Sequence, residues 1–116
     1  MSNEDIELPI LKKAYELYKT FHGYRKVLPK LDRFTIFERS ENLIIDVIEL
    51  CTEAGYGRGT NKTPILDRAS VKLNTLRLTI RLMKDTGSLD LKKYTILQLL
   101  VDEIGRMLGG WIRSMK

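Results

Sequence analysis

The spacing of apolar residues is the feature that most constrains the fold of this chain. In four successive segments, apolar side chains recur three or four positions apart, which is the spacing of one face of an α-helix. No segment shows the apolar and polar alternation of a half-buried strand. The pattern therefore predicts an all-α fold, with helices over residues 10–29, 35–55, 63–86 and 88–114.

Residues that start or stop helices separate these four segments. Pro29 disfavours helical angles at Leu28 and predicts a stop there, and glycines at 55, 57 and 59 predict the end of the second helix. The predicted starts of the second, third and fourth helices are a capping box of Thr35 with Glu38, Thr63 followed by Pro64, and Ser88. Short connectors between four helices predict one domain over residues 1–116, an up-down-up-down four-helix bundle.

The third helix carries two apolar faces. One face, predicted to enter the core, consists of Leu66, Ala69, Leu73, Leu76, Ile80 and Met83. Val71, Leu78 and Leu82 lie nearly opposite, where a monomeric bundle would expose them to water. Scattered leucines are common on protein surfaces, but an apolar strip on a basic helix also fits a subunit contact. We predict an oligomer interface at these three residues.

Positive charge is concentrated on the same helix. Residues 62–84 contain six basic residues and one acidic residue, a net charge of +5 that equals the net charge of the whole chain. Because the window holds no other acid, and because arginine suits phosphate, the sequence predicts a polyanion-binding strip; a merely solvated face is the alternative. The predicted binding residues, with two arginines of the last helix on one polar side, are Arg68, Lys72, Arg77, Arg81, Lys84, Arg106 and Arg113.

The residue types that support catalysis or metal binding are scarce. A single histidine, His22, and a single cysteine, Cys51, cannot build a Cys/His metal site, and Cys51 lies among apolar residues where a buried structural role is expected. We predict no catalytic residues, no metal and no cofactor. The acidic amino terminus does not resemble a secretory signal and no apolar run is long enough to span a bilayer, so a cytoplasmic location without membrane contact is expected.

Three glycines interrupt the last helix in the stretch GRMLGGW. Each glycine in a helix interior costs roughly 0.5–1 kcal/mol relative to alanine, so some other contribution must offset it. Gly105 and Gly109 are four apart and predict a groove that closely admits a neighbouring helix, either of the same bundle or of another protomer. Gly110 is expected to loosen the final turn. Trp111 is expected to anchor the core or an interface.

The segments FTIFERSENLIIDVIELCTEAGYGR, LDRASVKLNTLRLTIRLMKD and YTILQLLVDEIGRMLGGWIRS resemble, in this order, the accessory variability determinant (Avd) family of diversity-generating retroelements. The DEIGRMLGGW ending is the most specific part of the likeness. The resemblance implies a basic four-helix bundle that forms a homopentameric barrel, binds the element's reverse transcriptase as well as RNA and DNA, and supports mutagenic cDNA synthesis without catalysing it.

Two alternatives to this function stay open at the level of sequence. The chain is more distantly similar to the four-helix bundle proteins encoded in intervening sequences of bacterial 23S ribosomal RNA genes. It could also be a structural interaction module whose basic strip contacts an acidic protein and no nucleic acid.

Overall fold

The computed structural model describes residues 8–57 and 61–115. Over these ranges the backbone forms helices and turns, with no strand. The helices are α1 (Pro9–Gly23), α2 (Lys30–Arg33), α3 (Ile36–Tyr56), α4 (Thr63–Asp85) and α5 (Leu91–Ser114). Helix α2 is a single turn, so four long helices build the fold, as the apolar periodicity predicted.

The four long helices form a bundle in which each packs against two others. Helices α1 and α4 lie on one diagonal, and each contacts both α3 and α5. The stacked rings of Phe21 and Phe37, 4.4 Å between centroids, join the end of α1 to the start of α3. Ser40 of α3 meets Thr79 of α4, near the opposite ends of those two helices. Consecutive long helices are therefore antiparallel, as in an up-down-up-down bundle.

The core runs along the inside of all four helices. The predicted inner face of α4 is confirmed, because all six of its residues are at most 2% exposed. The hydroxyl of buried Ser40 lies within hydrogen-bond distance of the Ile36 carbonyl, at 2.7 Å, and of the Thr79 hydroxyl, at 2.8 Å, so this polar group inside the bundle is satisfied. Within the described ranges, no helix combines the length and apolar content needed to cross a bilayer.

The connector after α1 differs from the prediction. Helix α1 ends at Gly23 rather than near residue 29, and a short 3-10 turn covers Arg25–Val27. Leu28 is extended, with φ −80° and ψ 152°, because the following proline disfavours helical angles there. Leu28 is nevertheless buried. An apolar residue at helical spacing can thus reach the core from outside the helix.

The predicted helix caps are only partly correct. The Thr35 hydroxyl donates to the Leu31 carbonyl, 2.9 Å away, so Thr35 does not cap α3 through its side chain and the predicted capping box is wrong. Helix α5 is capped by Asp90, whose carboxylate accepts from the Lys93 amide at 2.8 Å. The residue predicted for that role, Ser88, is buried and donates to Asp32. Helix α4 begins at Thr63 itself, after Lys62.

The turn between α4 and α5 depends on Gly87. Its φ of +86° lies in the left-handed region that favours glycine. The Gly87 amide donates to the Lys84 carbonyl at 3.1 Å and the Ser88 amide to the Met83 carbonyl at 2.8 Å. These two hydrogen bonds define a Schellman motif, which ends α4 within one residue of the predicted boundary.

Candidate nucleic-acid interface

Helix α4 presents an apolar strip to solvent on the side opposite the core. Val71 is 64% exposed, Leu78 62% and Leu82 50%. We call these three residues the α4 apolar strip. Their exposure in the single chain agrees with the helical spacing of the sequence, and burial against another copy would remove a substantial apolar surface from water.

The basic residues of α4 have acidic neighbours that the sequence argument overlooked. Lys72 pairs with Asp46 of α3 at 3.2 Å. Arg81 and Lys84 both reach Asp85, at 3.8 and 3.5 Å. The expectation that these cations lack nearby acids is therefore wrong. Bundle packing supplies Asp46, and Asp85 lies one residue beyond the segment used to count charge.

The predicted basic set consequently divides into separate groups. Lys84 also lies over the Tyr94 ring, 4.5 Å from its centroid, at the end of α4. Arg68 is exposed near the start of the same helix, and Lys72 faces α3. The strip along α4 is therefore not one continuous row of cations, and the largest convergence of predicted site residues occurs elsewhere.

Three of the predicted arginines meet in a groove between α4 and α5. This groove, about 570 Å³ in volume, has Gly105 and Gly109 in its floor and Arg77, Arg106 and Arg113 around it. We call it the arginine groove. The sequence placed Arg106 and Arg113 on one side of the last helix, and the structure adds Arg77 from α4 to the same surface.

Arg77 is held in a defined orientation across the groove. Its Nε donates to Asp102 Oδ1 at 3.2 Å, and its Nη1 donates to Asn74 Oδ1 at 2.8 Å. The two bonds fix the plane of the guanidinium while Nη2 extends toward Gly105. A guanidinium held in this way loses less conformational freedom when it binds an anion than a mobile one does.

The position of Arg77 explains why residue 105 is a glycine. A Cβ added at Gly105 would lie 2.6 Å from Arg77 Nη2 and 3.7 Å from Leu73 Cδ2. The predicted groove therefore exists, but within this bundle an arginine side chain occupies it, not the backbone of a neighbouring helix. Close approach of a helix from the same bundle is not observed there, because the α4 residue facing Gly105 is long and polar, and approach by another protomer stays a prediction.

The other two glycines lie under Arg113. A Cβ at Gly109 would be 3.3 Å from Arg113 Nη1, and one at Gly110 would be 3.8 Å from Arg113 Nη2. Helix α5 continues past Gly110 to Ser114, the predicted end of the last helix. Trp111 is half-buried against the core, as expected of an anchor.

The charge of the arginine groove is positive. Three arginines surround it, and the carboxylate lining it is that of Asp102, which already pairs with Arg77. Arginine offers several N–H donors in one plane, a geometry that matches two phosphate oxygens at once. Open on one side and lined by these donors, the groove is suited to a phosphate group.

Asp102 and Asn74 were absent from the predicted site, although a sequence signal for Asp102 exists. Asp102, Gly105, Gly109 and Arg113 follow the three-and-four spacing of one helical side. Their shared side could have been read as a groove wall. Asn74 carries no comparable signal, because its role depends on where the Arg77 side chain turns.

The remaining candidate groups do not form a second chemical site. Burial raises the pKa of the Cys51 thiol to about 11, which disfavours the reactive thiolate and agrees with a structural role. His22 bonds Glu41 of α3 through Nδ1 at 3.0 Å on the protein surface. Among the described residues, no group of three or more His, Cys, Asp or Glu side chains could hold a metal ion.

A known protein family matches this chain over nearly the whole of the described fold. A family model described as bAvd-like matches residues 8–115, which include all four long helices and the arginine groove. The chain belongs to the bAvd-like family. The resemblance to Avd proteins is thereby confirmed, and bAvd-like proteins are accessory rather than catalytic proteins. No curated protein matches this bAvd-like chain. The segment DEIGRMLGGW, the most specific part of the resemblance, supplies most of the α5 wall of the arginine groove, and Arg113 follows two residues after it.

Proposed function

We propose that this chain is a non-enzymatic accessory protein of a diversity-generating retroelement. It forms a homopentamer, binds RNA and DNA together with the element's reverse transcriptase, and supports mutagenic cDNA synthesis. Membership of the bAvd-like family supports the accessory role. The convergence of Arg77, Arg106 and Arg113 in one groove is the observation that carries the nucleic-acid role.

The arginine groove acts as the principal phosphate contact in this proposal. Arg106 and Arg113 are exposed, and the described part of the chain places no carboxylate within ion-pair distance of either. Arg77 keeps Asp102 as a partner and orients a guanidinium edge toward the groove. A phosphate can therefore bind without first displacing an acid from the two exposed arginines.

The other basic residues of α4 extend the contact. Lys72, Arg81 and Lys84 are in solvent-accessible ion pairs, which typically contribute only about 0.2–1 kcal/mol each. Phosphates of a long polyanion can replace such partners at small cost. Arg68, exposed on the same helix, adds a further cation. In a pentamer this arrangement would be repeated five times around the assembly, giving a strongly positive surface.

The mechanism is electrostatic scaffolding of the template near the polymerase. Contacts from arginine and lysine to phosphates position a nucleic acid but do not read its sequence. They release counterions, so affinity falls steeply as salt rises, with a slope near −0.7 per phosphate contact for single strands. The protein would thus increase the local concentration of template RNA at the reverse transcriptase with little base preference.

A double variant of the exposed groove arginines tests the nucleic-acid role. Arg106→Gln with Arg113→Gln removes two groove cations and leaves the Arg77 ion pair in place. We expect the salt dependence of binding to a fluorescent single-stranded RNA, measured by anisotropy, to become shallower by about 1.4 in slope because two phosphate contacts are lost. The matched control, Lys12→Gln with Lys19→Gln, removes the same charge from exposed positions on α1, diagonal to α4.

The control decides between a site and a general charge effect. If the α1 and groove variants weakened RNA binding equally, net charge rather than the groove would be what attracts RNA. Loss of reverse transcriptase binding by the groove variant with RNA affinity unchanged would instead favour a protein-interaction module. Arg77→Glu is a poorer probe, because it would place a second carboxylate beside Asp102.

The α4 apolar strip is the proposed protomer contact. Leu78→Asp should dissociate the assembly, because it places an unpaired charge in a desolvated contact. Light scattering of purified protein should then report a mass near the 13.4 kDa of one chain. Leu99→Asp is the control, since Leu99 is 65% exposed on α5, close to the 62% of Leu78. An unchanged mass for Leu78→Asp would remove the strip from the interface.

A further inference from the structure

One end of the bundle carries an apolar surface that the proposed function does not use. Val27, Leu31 and Phe34 of the connector between α1 and α3 are 58%, 85% and 68% exposed, and Leu91 at the start of α5 is 69% exposed. The hydrogen bond between Ser88 and Asp32 joins this connector to the turn that precedes α5. We call these four residues the connector patch.

The connector patch is presented by an ordered backbone. Arg33 donates from Nε to the Leu28 carbonyl at 3.1 Å and from Nη2 to the Lys26 carbonyl at 2.9 Å. The Thr35 hydroxyl donates to the Leu31 carbonyl, and the Leu28 side chain is anchored in the core. The exposed apolar side chains therefore project from a fixed scaffold, which lowers the entropic cost of binding a partner.

The connector itself is basic, although Glu38 and Glu41 of α3 line a groove together with its Arg25, Arg33 and Phe34. Residues 24–35 contain four basic residues and one acidic residue, a net charge of +3. The acid, Asp32, is already bonded to Ser88. Arg25 lies over the Phe34 ring, 5.2 Å from its centroid, so one face of the ring is covered by a cation. A partner that combines apolar side chains with negative charge would complement this surface.

We propose that the connector patch docks an acidic amphipathic helix from a protein partner. Aliphatic side chains, which make up most of the patch, pack against leucine and similar residues but do not stack on nucleic-acid bases. Arg25 also covers a face of Phe34, the one aromatic ring in the patch on which a base could stack. A two-fold contact between the connectors of two copies is disfavoured, since it would bring two basic segments together. Contact with a different face of a second copy is distinguished from peptide docking by the mass of the patch variant.

This surface is separate from the arginine groove. The groove is formed by the middle of α4 and the second half of α5, whereas the connector patch lies where α1 and α4 end and α5 begins. The proposal goes beyond the proposed function and does not depend on RNA binding. An experiment can therefore refute either proposal, RNA binding in the groove or helix docking at the connector patch, without refuting the other.

A designed peptide tests the chemistry of this site directly. The probe is a fluorescein-labelled peptide of about 18 residues, long enough to form a helix, with leucines on one face and glutamates on its flanks. A second peptide carries lysine in place of every glutamate. We expect the acidic peptide to bind the full chain in an anisotropy titration and the basic peptide to bind at least about tenfold more weakly.

Two variants locate the binding. The double variant Leu31→Ser with Phe34→Ser removes apolar contacts, and the double variant Arg25→Glu with Lys26→Glu reverses the charge. Each should weaken binding of the acidic peptide at least about tenfold. Leu99→Ser, at a similarly exposed leucine on α5, should leave the affinity unchanged. Circular dichroism checks that each variant keeps its helical content.

Several outcomes would overturn the proposal. Equal peptide binding by wild type and both patch variants would place the peptide elsewhere, and equal binding of acidic and basic peptides would exclude charge complementarity. If the Leu31 and Phe34 double variant no longer bound labelled RNA but still bound the peptide, the surface would be assigned to nucleic acid. A lower mass of that variant, again with peptide binding intact, would assign the surface to contact between copies.

Discussion

Replacement of Gly105 by alanine tests whether the arginine groove is built as the structure indicates. The substitution adds one methyl group to the floor of the groove, and that methyl carbon would lie 2.6 Å from Arg77 Nη2. This separation is too short for a normal contact, so the Arg77 guanidinium must move. Its movement should weaken the hydrogen bonds to Asp102 and Asn74, which measure 3.2 and 2.8 Å.

Two opposing contributions determine the stability of this variant. Alanine is favoured over glycine in a helix interior by about 0.8–1.0 kcal/mol. The displaced ion pair with Asp102, whose partners are 33% and 47% exposed, contributes about 0.2–1 kcal/mol. The hydrogen bond to Asn74 adds about 0.5–1.5 kcal/mol. The two losses together roughly equal or exceed the helix gain, so we expect a change in unfolding free energy between about −1.7 and +0.3 kcal/mol.

Gly110→Ala provides the matched comparison in the same helix. Its added Cβ would lie at an ordinary 3.8 Å from Arg113, so the helix preference should appear as a gain of about 0.5–1 kcal/mol. Thermal unfolding followed by circular dichroism, at one fixed protein concentration because assembly affects stability, should separate the two variants by several degrees. RNA affinity should fall for Gly105→Ala and stay unchanged for Gly110→Ala.

One result would refute this reasoning. If Gly105→Ala stabilised the chain as much as Gly110→Ala and bound RNA like the wild type, then Arg77 would not be held across Gly105. The groove would then have no fixed guanidinium, and the glycine at 105 would need another explanation, such as close approach of a neighbouring protomer.

Two further predictions concern the core. Ser40→Ala should lower the unfolding free energy by about 1 kcal/mol in urea titrations, because it removes a fully buried hydroxyl that bonds half-buried Thr79. Thr52→Ala, at an exposed hydroxyl, should have little effect, and equal effects would mean that the bond between Ser40 and Thr79 contributes no more than an exposed one. Burial raises the pKa of the Cys51 thiol from 9.0 to about 11, so the native state retains this proton longer than the unfolded state does. Stability should therefore fall between pH 9 and 11, and Cys51→Ala should lose that part of the fall, which parallel urea titrations of the two proteins would detect.

The helices of this protein could be predicted from sequence because their causes are local. A helical face repeats every three or four residues, so Leu66 through Met83 marked the inner side of α4 without knowledge of any neighbour. The same argument identified Val71, Leu78 and Leu82 as exposed. It was less accurate at boundaries, where Thr35 and Ser88 found partners other than the predicted helix amides.

The candidate site was only partly predictable, since its members come from different helices. Helical spacing placed Arg106 and Arg113 together, and both line the arginine groove. It could not show that Lys72 pairs with Asp46, because that pair depends on which helix packs beside α4. Nor could it show that Arg77, rather than a helix backbone, fills the space beside Gly105.

The linear sequence is sufficient to predict the four helices, their inner faces, the excess of positive charge and the family resemblance. These properties depend on residue type and on spacing along one helix, both of which are present in the linear order. The packing of the helices is needed to know which charges are neutralised, where three arginines converge and why glycines lie beneath them. Each of those outcomes is a distance between side chains far apart in sequence, and such distances are set when the helices pack.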